Sequence, residues 1–175
     1  MTPRVSTILK LLYPNALEWV PSGALERGTV MHQELEVFVN SMIHGVDFKT
    51  TLHMSPDLLM RFFRVAEWLI EQHLEFEATE ELLEHPMNFC GHPDLLATWK
   101  NTPTCFDYKF CESIIESNLV QGEVYRNLTG RRVVLIQCTK EAKIIIHKLK
   151  PRPDLWAVFL SALNVWKFQQ KQIHQ

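Results

Sequence analysis

No stretch of this 175-residue chain approaches the roughly 20 consecutive apolar residues needed to span a bilayer, so no membrane-spanning helix is expected. The opening segment, MTPRVSTILKLLYPN, has a short apolar patch but no small-residue cleavage site, and no secretory signal is expected. The four cysteines, Cys90, Cys105, Cys111 and Cys138, include no Cys-x-x-Cys pair, which argues against a zinc finger. Without a secretory signal they are expected to be reduced thiols in a cytoplasmic protein. Internal repeats, low-complexity stretches and long linkers are all lacking, so residues 1–175 are read as one domain. Nor does either charge dominate: 18 Lys and Arg face 20 Asp and Glu, a net charge of −2.

What is present is the composition of a soluble globular protein rather than a disordered one, 46% hydrophobic and 22% charged. The charge is unevenly placed. Residues 1–90 carry 6 Lys and Arg against 13 Asp and Glu, whereas residues 91–175 carry 12 against 7. The basic residues of the second half include Arg126, Arg131, Arg132, Lys140, Lys143, Lys148, Lys150 and Arg152. An acidic half beside a basic half can set a metal site next to a phosphate-binding surface. Solvated charged faces are the plainer reading.

A helix is expected over Val5–Tyr13, then an irregular segment Pro14–Arg27 broken by Pro14, Pro21 and Gly23. A second helix is expected from Gly28 to about Ile43, with Met31, Leu35, Phe38, Val39 and Met42 on one apolar arc that includes His32. Glu34, Val37 and Ser41 fall on its far side. A third begins at Ser55–Pro56, a cap followed by first-turn proline, and continues through Leu58, Leu59, Phe62, Val65, Leu69 and His73. Phe76–Glu84, Met87–Trp99 and Thr104–Phe110 read as strands, with breaks at His85–Pro86 and Lys100–Pro103. A polar helix follows from about Glu112 to Leu128, stopped by Gly130. Arg132–Cys138 and Lys143–Leu149 form a strand pair around Thr139–Ala142. From Pro153 onward, Trp156, Phe159, Leu160, Leu163 and Trp166 recur at helical spacing. This order predicts an α/β fold with a central mixed sheet flanked by helices.

The segment Phe89–Phe110 carries the chemistry. Strand alternation puts Cys90, His92, Asp94 and Leu96 on one side. On the next strand, Phe106, Tyr108 and Phe110 mark the core face, so Asp107 and Lys109 project from the opposite one. A reversal near Lys100–Pro103 sets Asp94 across from them. Two carboxylates at such range repel unless a cation lies between them, and a hard divalent ion prefers oxygen ligands. A lysine alongside adds positive charge where a reacting phosphate accumulates negative charge. On its own, Asp-x-Lys reads as an exposed surface pair. Upstream, Glu75, Glu77, Glu80 and Glu81 form an acidic cluster: one of them completing a second metal shell competes with a solvated strand edge.

In order along the chain stand Arg27-Gly28-Thr29-Val30-Met31-His32, Gly91-His92-Pro93-Asp94, Asp107-Tyr108-Lys109 and Gln121-Gly122-Glu123-Val124-Tyr125. This series resembles the RecB-like branch of the PD-(D/E)xK nuclease superfamily, over residues 22–128 and the two strands that follow. The resemblance implies a restriction-endonuclease-like core and a divalent-metal-dependent deoxyribonuclease, Mg²⁺ or Mn²⁺ being the metal. An exonuclease acting in recombination, replication or repair is favoured. It implies that Asp94 and Asp107 ligate the metal, that His32 is a further ligand, and that Tyr108 offers its backbone carbonyl. Lys109 is then the catalytic lysine. Gln121 and Tyr125, one helical turn apart, hold the DNA backbone or that lysine; an ordinary helix–sheet contact is the competing reading. The resemblance also implies a phosphate contact for Arg27; taken alone, His32 is a satisfied core histidine and His92 a substrate contact or a filler.

The sequence departs from the pattern in three places. Phe110 stands where relatives often have Thr or Ser. Pro93 directly precedes Asp94 and suggests a strand edge or bulge. The cysteines do not bracket the core, so no iron–sulfur cluster is expected. The expected partner is DNA and no membrane, with a homo-oligomer or separate recombination and replication proteins left open, as for small phage nucleases in a host cytoplasm. The alternative function is a nuclease-like module that binds DNA or a protein without cutting.

Overall fold

The computed structural model describes residues 2–15, 24–49 and 54–173, the side chains of 24–27 and 173 excepted. In chain order the elements are α1 (Val5–Leu12), α2 (Ala24–His44), α3 (Pro56–Glu71), β1 (Glu75–Ala78), β2 (Leu83–His85), β3 (Phe89–Gly91), β4 (Leu95–Trp99), β5 (Thr102–Lys109), α4 (Glu116–Thr129), β6 (Arg132–Cys138), β7 (Ile144–Lys148) and α5 (Pro153–Ile173). Five strands form the central sheet in the order β1-β4-β5-β6-β7, while β2 and β3 pair separately. β5 and β6 run parallel, joined through α4, and the other neighbours are antiparallel. The sheet is therefore mixed, as expected. No described helix is long and apolar enough to cross a membrane.

Short-range rules account for several boundaries. Lys100 and Asn101, both at positive φ, form the two-residue turn between β4 and β5, with Trp99 opposite Thr102. That turn twists with the strands it joins. Gly130, at φ +67, ends α4 in the left-handed region and its N–H reaches the Arg126 carbonyl. At the other end of α4 the Asn118 side chain accepts the Ile115 N–H at 3.0 Å.

Alternate residues of β5 enter different cores. Phe106 and Tyr108 pack with Met31 and Leu35 of α2 and with Phe62, Val65 and Leu69 of α3. Cys105 packs on the other face with Val5 and Ile8 of α1, Val120 and Val124 of α4 and Phe159 of α5. The aromatic face was expected to be core, and it is. The opposite face is a second core rather than an open surface, so Asp107 is only 1% exposed.

Four expectations need correction. The stretch Phe76–Glu84 divides into β1 and β2, because Glu80 adopts φ +49 between them and its N–H turns to the Pro93 carbonyl. Met87–Trp99 divides into β3 and β4, since Pro93 has no N–H to extend a ladder. The alternation of Cys90, His92, Asp94 and Leu96 is lost with that break. α2 starts at Ala24, inside the segment expected to be irregular; Pro21 and Gly23 lie outside the described residues, as does the Arg27 side chain. The buried face of α2 also differs: Glu34 and Ser41 are buried, while Met42 in the last turn is 44% exposed. Ser41 satisfies its hydroxyl on the Phe38 carbonyl. Elsewhere α4 begins at Glu116 rather than Glu112, and the remaining boundaries shift by one or two residues.

Gly91 shows how tightly α1 is seated. A Cβ there would lie 3.1 Å from side-chain carbons of Leu128, Tyr125 and Val5. Tyr125 cannot retreat freely, since its hydroxyl donates to the His92 carbonyl at 2.9 Å. Gly91→Ala is expected to destabilise the fold by about 1–3 kcal/mol, measured by urea unfolding. No loss of stability would show that α1 does not close onto β3.

Candidate active site

Where β4 stops, its neighbour is left with an unpaired donor. Leu95 opposes Phe106, so Tyr108 of β5 lies across from Pro93, whose carbonyl is already taken by the Glu80 N–H. The Tyr108 N–H turns instead to Asp94 Oδ2 at 2.5 Å. A buried amide needs an acceptor, and here the acceptor is a carboxylate. The Asp94 carbonyl is fixed in turn by the Thr79 hydroxyl at 2.7 Å. Asp94 is thus held at both backbone and side chain, and is 6% exposed.

The other carboxylate oxygen, Oδ1, lies 3.2 Å from His32 Nδ1. α2 brings His32 over the end of the sheet, where its ring meets the edges of Tyr108 and Phe110 at centroid distances of 6.0 and 5.7 Å. Phe110 itself lies under the Arg61 guanidinium. The aromatic at the position after Lys109 therefore supports the imidazole. Glu80 completes the group: ligand atoms of His32, Glu80 and Asp94 all lie within 4.8 Å of one another. Its left-handed backbone is braced by His92, whose Nδ1 is 3.1 Å from the Glu80 carbonyl.

Beside this trio runs a second line of polar groups. The Lys109 ammonium pairs with Asp107 and donates to Gln121 Oε1 at 3.0 Å. Gln121 Nε2 donates to the Tyr125 hydroxyl at 3.3 Å, and that hydroxyl donates to the His92 carbonyl. The spacing of Gln121 and Tyr125 on α4 lets both reach the same side. One chain of hydrogen bonds thus links β5, α4 and the β3–β4 break.

The electrostatics follow from crowding. Burial pushes the Glu80 carboxyl up to about 7, with the Asp94 charge adding to it. Burial likewise raises Asp107 to about 6 against the opposing pull of Lys109. Burial acts on Asp94 too, but His32, Lys109 and the Tyr108 N–H outweigh it and hold this carboxyl below its ordinary value. Burial would depress His32 and Lys109, yet the neighbouring carboxylates raise both. Lys109 accordingly stays a cation rather than serving as a base.

Of the residues singled out in the sequence, His32, Asp94, Asp107, Lys109, Gln121 and Tyr125 come together. Tyr108 enters through its N–H, while its place in the β6 ladder is kept opposite Ile136. Asp107 faces Lys109 rather than the His32–Asp94 pair. Glu80 stood out in the sequence only as one of four similar glutamates. Glu77 instead pairs with Arg131 on the surface. Apart from Lys109, these basic residues of the second half lie elsewhere: Arg126 pairs with Glu123, and Lys100, Arg132 and Lys148 surround Trp99 at the other end of the sheet.

Two carboxylates and an imidazole, in a buried setting that raises Glu80 and Asp107, fit a hard divalent cation such as Mg²⁺ or Mn²⁺. Protons on Glu80 and His32 must leave before these groups can hold a cation. Mn²⁺ affinity is therefore expected to fall by at least about tenfold per unit as pH drops below about 7, with net proton release on binding. Calorimetry in buffers of different ionisation enthalpy measures both. Glu80→Gln is expected to weaken binding by at least about tenfold; an affinity flat from pH 6 to 8 would contradict this account.

No protein-family profile and no curated protein sequence matches the chain. Solved structures do. The alkaline exonuclease LHK-Exo from Laribacter hongkongensis superposes with a TM-score of 0.57 at 11% identity, covering 98% of this chain and 88% of that one. The same exonuclease in complex with dAMP superposes with a TM-score of 0.57 at 13% identity over the same shares. At this identity the likeness is one of fold: the chain has the mixed-sheet architecture of a nuclease.

Proposed function

We propose that this chain is a divalent-metal-dependent DNA nuclease, an exonuclease in preference to an endonuclease, working in recombination, replication or repair. The observation that carries the reading is the meeting of His32, Glu80 and Asp94 at the sheet's end beside a lysine locked between Asp107 and Gln121. Likeness of fold to an exonuclease that binds dAMP supports DNA as the substrate.

His32, Glu80 and Asp94 would hold the ion, with Asp107 alongside. Bound Mg²⁺ or Mn²⁺ supplies a polarised phosphoryl oxygen and a more acidic water. Lys109, kept charged by its carboxylate neighbours, stabilises the negative charge that builds on the phosphate. Gln121 holds the Lys109 side chain in one direction, and Tyr125 fixes Gln121 by bonding to its amide. The ammonium is thereby set before substrate arrives, which lowers the cost of reorganisation during reaction.

Labelled linear DNA with Mn²⁺ tests this. Cleavage is expected, with complete loss on EDTA treatment. Lys109→Ala should reduce kcat by about 10²–10³-fold while Mn²⁺ binding persists. Gln121→Ala should cost less, about tenfold, because the lysine remains. Equal activity in Lys109→Ala and wild type would remove the assignment of this site.

A further inference from the structure

A cavity of about 280 Å³ adjoins the site. Glu80, His92, Tyr125 and Gly91 line it together with Arg4 and Ser6. Arg4 and Ser6 belong to the N-terminal segment, which is anchored rather than loose. The Cys90 N–H donates to the Pro3 carbonyl at 3.0 Å, and Arg4 bridges Cys90 in parallel. Immediately after Arg4, α1 begins and buries Val5 and Ile8 in the second core. The Arg4 backbone is thus fixed to β3, the strand that leads into Asp94.

Arg4 is also chemically unspent. Among the described residues its guanidinium has no carboxylate or carbonyl partner, and the first turn of α1 carries no acidic residue. Lys109 is paired with Asp107 and Gln121, and the nearby arginines of the second half are already engaged. Arg126 is bonded to Glu123 and to the Leu149 carbonyl, Arg131 to Glu77, and Arg132 to Thr104 and the Trp99 carbonyl. A cavity that shares Glu80 with the candidate metal trio and is also lined by an unpaired guanidinium matches a strand of repeating phosphates. The Glu80 carboxylate lies within the trio with His32 and Asp94, which leaves the Arg4 guanidinium as the cationic group lining the cavity.

We propose that Arg4, assisted by the Ser6 hydroxyl, binds a backbone phosphate of the DNA strand next to the scissile one, and so sets which phosphodiester reaches Lys109. The inference rests on the nuclease reading and adds a register-setting contact to it. A guanidinium presents a planar fork of donors matched to phosphate oxygens, and a hydroxyl adds one more. Contacts of this kind position the strand without reading its sequence.

The test is steady-state kinetics of the Mn²⁺-loaded protein on a labelled oligonucleotide carrying one neutral methylphosphonate at each linkage flanking the cut. Arg4→Ala is expected to raise KM by about tenfold, to change kcat by less than about threefold, and to reduce the salt dependence of KM by about one phosphate contact. In wild type one flanking methylphosphonate should raise KM by a similar factor, and in Arg4→Ala that same substitution should add nothing, because the two changes remove one interaction. Arg4→Lys should recover part of the loss, and unchanged Mn²⁺ affinity would show that the fold is intact. Wild-type KM in Arg4→Ala, or an equal methylphosphonate effect in both proteins, overturns the inference alone. A wild-type protein that cuts no DNA removes the nuclease reading and this contact with it.

Discussion

The site depends on one buried hydrogen bond, from the Tyr108 N–H to Asp94. It exists because β4 begins only at Leu95, after Pro93, whose carbonyl is turned toward Glu80. The strand's missing ladder partner is replaced by a carboxylate, which then has a second oxygen free to face His32. Had β4 continued, the Tyr108 amide would have been satisfied by backbone and Asp94 would have followed strand alternation. The interruption in the sheet thus places the carboxylate, the imidazole and Glu80 within reach of one another.

The price of this arrangement is crowded negative charge with little water to screen it. Burial first, and the Asp94 charge second, raise the proton affinities of Glu80 and Asp107, and a bound cation would relieve this. The fold secures the residues against that repulsion from several directions. His32 is supported by Tyr108 and Phe110, Glu80 by His92, and Lys109 by Gln121. Because Tyr125 bonds to the carbonyl of His92, the lysine and the break before Asp94 belong to a single network.

Much of this was legible from local pattern. The two-residue turn at Lys100 and Asn101 folds β5 back along β4 and brings Asp94 beside it, and the i, i+4 spacing lets Gln121 reach Lys109 with Tyr125 behind it. Pro93 signalled an irregularity, although the sequence read it as an edge or bulge rather than a full break. Glu80 was hidden because Glu75, Glu77 and Glu81 have the same local character. Only its left-handed backbone and its long-range bond to Pro93 distinguish it. Burial on α2 was misjudged for a related reason: a single apolar arc was assumed, whereas Glu34 is enclosed as well. Arg4 gave no local signal at all, since its significance comes from the pairing of the N-terminal segment with β3.

The central claim is that three side chains from α2, the β1–β2 break and the β3–β4 break seat one hard cation. A crystal structure of the protein soaked in Mn²⁺, with anomalous data collected at the manganese edge, addresses it most directly. The account predicts a single strong peak bonded to His32, Glu80 and Asp94, with Lys109 close by but unbonded to the metal. A peak bound elsewhere, or none at this position under saturating Mn²⁺, would contradict it.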